Sequence, residues 1–140
     1  MRLVSGVSGV GYMSTIPIGL QFRMKPGWKL YWRTPGNAGF PPRADWSSSE
    51  NVSKVEMEWP APKRFSIFNL ETLGYEKEVI FPLNVTVTKV GDPVRLDADI
   101  DYLTCKEICI PYSATAKLSI GGGRMKVTEF AFEIEKYRAR

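Results

Sequence analysis

An all-β architecture, an immunoglobulin-like antiparallel β-sandwich with a short C-terminal helix, is what this chain predicts. Apolar residues alternate with period two along most of the sequence. The alternating runs are short, about seven of them, and Pro- or Gly-containing turns separate them. With 140 residues, 44% hydrophobic and 24% charged, the chain is a single domain large enough to bury its own core.

Each element follows from its own pattern. Ile16, Ile18, Leu20, Phe22 and Met24 alternate with smaller or polar residues and read as a half-buried strand. After the turn at Lys25, Pro26 and Gly27, the residues Trp28, Leu30 and Trp32 resume the alternation, with Tyr31 and Arg33 pointing the other way. Thr34 to Pro42 is dense in turn formers and predicts an extended or looped surface segment. Val55, Met57 and Trp59 give a strand closed by Pro60 and Pro62. Lys63 to Tyr75 reads as a loop, yet it carries Phe65, Ile67, Phe68, Leu70 and Leu73, which must cover either the core or a site. Val79, Phe81, Leu83, Val85 and Val87 form the longest stripe, and Pro82 within it predicts an edge strand or a bulge. Val94, Leu96, Ala98 and Ile100 form a strand that returns as Ala114, Ala116, Leu118 and Ile120. Gly121, Gly122 and Gly123 end the sandwich, so residues 1–123 are expected to be the domain proper. Residues 124–140 are expected to be a helical extension or linker, because Phe130, Ile134 and Tyr137 recur at helical spacing.

Composition excludes several function classes. Histidine is absent, which removes Ser-His and Cys-His nucleophile pairs and His-based zinc sites. The net charge is +4, and half of it lies in residues 121–140, where five basic side chains face three acidic ones. The body has no dense Lys/Arg cluster, so nucleic acid is not an expected partner. No apolar run is long enough to cross a bilayer. Residues 1–10 lack the compact apolar block and cleavage site of an export signal, which says little about where a parent protein resides.

The chemistry rests on the two cysteines, Cys105 and Cys109. In an extended strand their Cα atoms would stand about 13 Å apart, whereas a disulfide needs about 7 Å or less. Bonding therefore requires the backbone to fold back within a tight loop or a helical turn. Such a ring is a weak staple, about 2 kcal/mol by chain entropy, less than a long-range bridge supplies. Two thiols held close for little structural return suggest reversible thiol–disulfide exchange, without any cofactor. Lys106 favours a thiolate; Glu107 and Asp101 oppose it. Two other readings stay open: a permanent disulfide in a plain interaction module, and a Cu(I)-handling module that uses both thiols. Trp28, Trp32, Trp46 and Trp59 are more simply core than platform, and Tyr75 and Tyr102 suit either core packing or site lining.

A longer string of motifs narrows the choice. Residues 26–42 (Pro-Gly-Trp-Lys-Leu-Tyr-Trp-Arg-Thr-Pro-Gly-Asn-Ala-Gly-Phe-Pro-Pro) come first, then 46–51 (Trp-Ser-Ser-Ser-Glu-Asn) and 59–62 (Trp-Pro-Ala-Pro). Leu73-Gly-Tyr75, Glu78-Val-Ile-Phe-Pro82 and Tyr102-x-x-Cys-x-x-x-Cys-x-Pro111 complete the set. Over about residues 10–120 the chain resembles the N-terminal periplasmic domain of DsbD-type thiol:disulfide interchange proteins, in the ScsB-like branch linked to copper tolerance.

That resemblance implies an immunoglobulin-like protein-disulfide reductase domain in the periplasm, part of an inner-membrane protein. It implies partners as well: the transmembrane and thioredoxin-like domains of the parent, which supply electrons, and periplasmic thioredoxin-fold proteins, which receive them. It gives Cys109 the mixed-disulfide role and Cys105 the resolving role. Phe68 takes the place of the family's cap phenylalanine, Tyr31 that of a site-lining tyrosine, and Tyr75 and Tyr102 are further lining candidates. Two departures accompany it. The cysteines are closer together than in the DsbD domain itself, and the acidic residues before the cap are replaced by Ser66 and Ile67. Glu71 and Glu107 are the candidates to take their place.

Overall fold

The computed structural model describes residues 1–36, 39–67 and 69–138, with the backbone alone for 34–36 and 67. Ten strands and one helix are formed among them. The strands are β1 (Arg2–Ser5), β2 (Thr15–Arg23), β3 (Lys29–Gly36), β4 (Arg43–Asp45), β5 (Val52–Met57), β6 (Lys63–Ile67), β7 (Leu70–Glu76), β8 (Glu78–Val87), β9 (Val94–Cys105) and β10 (Cys109–Ile120); the helix is α1 (Phe130–Lys136). One sheet runs β1-β2-β8-β5 and the other β10-β9-β3-β7-β6, with β4 also pairing β9. Every named pairing is antiparallel. This is the immunoglobulin-like sandwich that the alternation predicts.

The alternating residues meet between the sheets. Ile16, Ile18, Leu20 and Phe22 from β2 pack with Val79, Phe81, Leu83 and Val85 from β8, and with Leu30, Leu96, Ala98 and Ile100 from the opposing sheet. Phe81 is the hub: the rings of Phe22, Trp59 and Tyr75 all meet it edge-on, with centroids 5.7, 5.2 and 5.2 Å away. Edge-to-face contact suits the aromatic quadrupole and adds to the area buried.

Two local expectations are corrected. Pro82 is neither on an edge strand nor at a bulge, because β8 lies between β2 and β5. Its carbonyl accepts a hydrogen bond from Glu58 N–H at 2.8 Å, just beyond the last residue of β5. In a strand a residue's N and C=O face the same side, so the missing N–H falls where β5 has ended and no ladder bond is lost. The segment 63–75 is not a loop but a hairpin of β6 and β7, turning through Asn69 at φ 62°, a value asparagine tolerates.

The helix forms where the 130–137 spacing predicts. Ile134 is buried against Val4 and Ile80 on the outer face of the four-stranded sheet. Arg138, beyond its end, bonds Glu58, Asn84 and Glu135, tying the segment to β8 and the residues after β5.

Candidate redox site

The cysteines owe their meeting to strand register. β9 and β10 pair continuously from Val94↔Ile120 to Cys105↔Cys109, so the two cysteines are directly opposite at the end of the hairpin. Three residues, Lys106, Glu107 and Ile108, close it, and Lys106 N–H donates to Ile108 C=O at 3.0 Å. The Cα atoms are 4.1 Å apart and the sulfurs are joined. Directly opposed residues share one face of a sheet, which points both side chains the same way. Of the two geometries the spacing allows, the tight loop is the one formed. Pro111 causes no loss because β10 is an edge strand.

Parity then decides which face. Val94, Leu96, Ala98 and Ile100 point into the sandwich, so the odd-numbered residues of β9 point outward. Asp99 and Asp101 are accordingly exposed, yet Leu103 and Cys105 are buried, Cys105 completely. A second, small apolar cluster covers them: Tyr31 from β3, Phe40 from the segment before β4, and Phe65 from β6. The apolar residues of 63–75 were expected to cover something, and Phe65 covers this site. Cys109, across the same disulfide, is exposed. The bond therefore joins a buried cysteine to an exposed one.

Tyr31 is the polar member of the cluster. It is 1% exposed, and its hydroxyl donates to Cys105 Sγ at 3.1 Å. Burial pushes its pKa upward, so it holds its proton at neutral pH. Gly39 lies against the ring with φ +80°; a Cβ there would come within 2.3 Å of Tyr31 Cζ, so only glycine permits this approach. Gly74, opposite Tyr31 in β7, also has to be bare, because a Cβ would lie 2.1 Å from the Leu30 carbonyl oxygen.

Charged groups ring the cluster. Lys29 stands opposite Cys105 in the β3–β9 register; its ammonium donates to Gly27 C=O at 3.0 Å and lies 5.2 Å from the centre of the Phe65 ring. Arg43 caps the Phe40 ring at 5.5 Å. Lys106, Glu107 and Ile108 are exposed at the hairpin tip, and Ile108 is 62% accessible beside Cys109.

The structure thus brings Tyr31 to Cys105 and places Glu107 in the cysteine loop, but it does not bring Tyr75 or Tyr102 to the sulfurs. Tyr75 lies in the main core, its hydroxyl donating to Pro60 C=O at 2.8 Å. Tyr102 packs on Phe22 and stacks on Tyr112, on the sandwich side of β9. Phe68 lies outside the described residues. Phe40, Leu103 and Lys29 were missed by sequence reasoning. For Leu103 the signal was available, since it shares strand parity with Cys105 and Tyr102 does not. Phe40 is an apolar residue between Gly39 and Pro41 in a turn-rich stretch, a weaker signal. Nothing local marks Lys29, which arrives by long-range register. Among the described residues no group of three or more His, Cys, Asp or Glu side chains could hold a metal, and no helix is long and apolar enough to cross a membrane.

Comparison with known proteins bears on this geometry. No curated protein sequence matches the chain. Among solved structures, the N-terminal periplasmic domain of ScsB from Proteus mirabilis superposes with a TM-score of 0.73 at 26% identity, covering 91% of this chain and 51% of that one. The present chain therefore spans about half of that structure. The reduced DsbD N-terminal domain of Neisseria meningitidis aligns at 16% identity and a TM-score of 0.43 over 91% of this chain and 88% of that one, too distant for comparison in detail. The family model for the N-terminal region of thiol:disulfide interchange protein DsbD matches residues 13–119, from just before β2 almost to the end of β10. A match of that extent, enclosing both joined cysteines, makes the chain a thiol–disulfide exchange domain and a member of the DsbD N-terminal family.

Proposed function

We propose that this domain works in the periplasm, as part of an inner-membrane protein. It takes reducing equivalents from a membrane-embedded reductase, through a thioredoxin-like domain, and hands them to periplasmic thioredoxin-fold proteins. The observation that carries the proposal is the asymmetry of the disulfide, with Cys109 exposed at a hairpin tip and Cys105 wholly buried. A relay needs one sulfur that partners reach and one that they do not.

The cycle balances with two electrons per turn. An upstream thiolate attacks Cys109 Sγ, the bond to Cys105 breaks, and its electron pair stays on Cys105 as thiolate. A second upstream thiolate then resolves that mixed disulfide and frees Cys109. In the forward direction, the Cys109 thiolate attacks a partner's disulfide; Cys105 then attacks Cys109 Sγ, expels the partner's reduced sulfur and restores the 105–109 bond. Phe40 and Phe65, with the cap role that resemblance gives to Phe68, shield Cys105 from adventitious thiols. Exposed Ile108, beside Cys109 at the hairpin tip, offers apolar ground for a docking partner, with Glu107 at the rim.

Trapping tests this directly. The Cys105→Ser variant should accumulate mixed disulfides on Cys109 in periplasmic extract, released by dithiothreitol. Equal trapping by the Cys109→Ser variant, or none by either, would count against the assignment.

A further inference from the structure

We infer that the Tyr31 hydroxyl is a catalytic hydrogen-bond donor that stabilises the thiolate formed on Cys105 each time the 105–109 bond breaks, thereby fixing Cys109 as the sulfur that partners attack. The inference rests on the exchange cycle above and adds a named group to its bond-breaking step.

The need for a donor comes from burial. Cys105 has no solvent exposure, so the negative charge it receives as leaving group develops away from water. A thiolate in apolar surroundings is disfavoured unless something hydrogen-bonds to it. Among the described residues, Tyr31 Oη–H is the donor that meets this sulfur, at 3.1 Å. The ring is held for the purpose. It is 1% exposed, Gly39 closes on its face and Leu103 packs beside it. Its raised pKa keeps the proton on oxygen, so the interaction is donation and not proton transfer.

The other charged groups nearby are otherwise engaged or lie outside the cluster. From β3, the Lys29 ammonium is held by Gly27 C=O. From the hairpin loop, Lys106 and Glu107 are exposed and opposite in sign. At the start of β4, Arg43 lies over Phe40. On β9, Asp101 accepts from Ser113 at 2.6 Å; on β7 and β6, Glu76 pairs with Lys63 at 3.5 Å.

The consequence is directional. When an external thiolate attacks Cys109 Sγ, a bond forms between those sulfurs, the 105–109 bond breaks, and the electron pair settles on Cys105 under the Tyr31 hydroxyl. Attack on Cys105 would have to penetrate the cluster and expel a Cys109 thiolate that this donor does not reach. A leaving thiol of lower pKa departs faster, so the hydrogen bond favours the first course. By microscopic reversibility the same contact holds Cys105 as thiolate, ready to resolve the mixed disulfide.

The test uses the conservative variant Tyr31→Phe, which keeps the ring and removes only the hydroxyl. In stopped-flow reduction of the oxidised domain by dithiothreitol, its rate constant should fall roughly three- to tenfold. In a Cys109→Ser background, ultraviolet titration of the Cys105 thiolate should show its pKa raised by about one to two units on the same substitution. A packing role alone would move neither readout. An unchanged rate and an unchanged Cys105 pKa in folded Tyr31→Phe overturn the inference. Failure of dithiothreitol to reduce the native wild-type domain at all would instead overturn the exchange cycle itself. Should Tyr31→Phe not fold, the Cys109→Ser protein with Tyr31 intact decides the matter. A Cys105 pKa at or below the ordinary value of about 8.5 supports the assignment, and one well above it refutes it.

Discussion

Replacing Phe40 with alanine should unmask the buried cysteine and leave the exposed one unaffected. Cys105 is covered by Tyr31, Leu103, Phe40 and Phe65, of which the two phenylalanines are only half-buried and are the ones that can swing out. Fully burying a phenylalanine stabilises by roughly 1.5–3 kcal/mol, so half-burial is worth about 1 kcal/mol for each ring. Uncovering Cys105 by moving both then costs about 2 kcal/mol, or about 30-fold in reactivity at about 1.4 kcal/mol per decade. Two single-thiol proteins measure this: Cys109→Ser carries only Cys105, and Cys105→Ser only Cys109. Iodoacetamide labelling followed by intact mass, corrected for thiolate fraction, should show Cys105 reacting about 30-fold more slowly. Adding Phe40→Ala removes one ring and should speed Cys105 about fivefold, with Cys109 unchanged. Equal labelling of the two thiols, or no response to Phe40→Ala, would refute the view that this cluster shelters the inner sulfur.

Further outcomes follow from the same geometry. Gly74→Ala puts a Cβ 2.1 Å from the Leu30 carbonyl oxygen and must push β3 from β7; urea unfolding should show a loss of about 1–3 kcal/mol, and a change under 0.5 kcal/mol would contradict the close approach. Burial raises the pKa of Tyr31, Tyr75, Tyr102 and Tyr137 above the ordinary 10.0. The fold thus favours their neutral form, so this contribution is complete below pH 10 and is lost as pH rises through the elevated values. Stability should therefore fall above about pH 10, with phenolate absorbance rising late, and a flat stability profile from pH 9 to 12 would count against it. Reducing the 105–109 bond opens a ring of only about five residues and should lower stability by no more than about 2 kcal/mol; a loss above about 4 kcal/mol would make the bridge a staple.

Much of this was legible because sandwich strands announce themselves by alternation. The stripes of β2, β8, β9 and β10 each bury one parity between the sheets, and those were readable residue by residue. Pro82 was misread because its tolerance depends on where a neighbouring strand ends, which no local pattern records. The β6–β7 hairpin was misread as a loop because, of its apolar residues, only Tyr75 is among the buried residues of the main core. Phe65 faces outward, onto the cysteine cluster, so the segment lacks the usual match between apolar parity and interior.

The site divides in the same way. Cys105 and Cys109 were visible by spacing, and Tyr31 came by resemblance. Lys29 reaches Cys105 only through the β3–β9 register, and Phe40 only through the course of the chain before β4. Tyr75 and Tyr102 suited either core packing or site lining; strand parity sends Tyr102 to the face opposite the cysteines, and Tyr75 joins Phe81 in the core. Proximity along a strand is a poor guide to proximity on a face.

The central claim is that the 105–109 bond opens and closes while the sandwich stays folded. Equilibration in glutathione or dithiothreitol buffers of stepped potential, with the thiols quenched and counted by mass and near-ultraviolet circular dichroism recorded in parallel, tests it most directly. One reversible two-electron transition is expected, with the folded spectrum retained on both sides. A bond that survives every native reducing buffer and yields only on unfolding would contradict it.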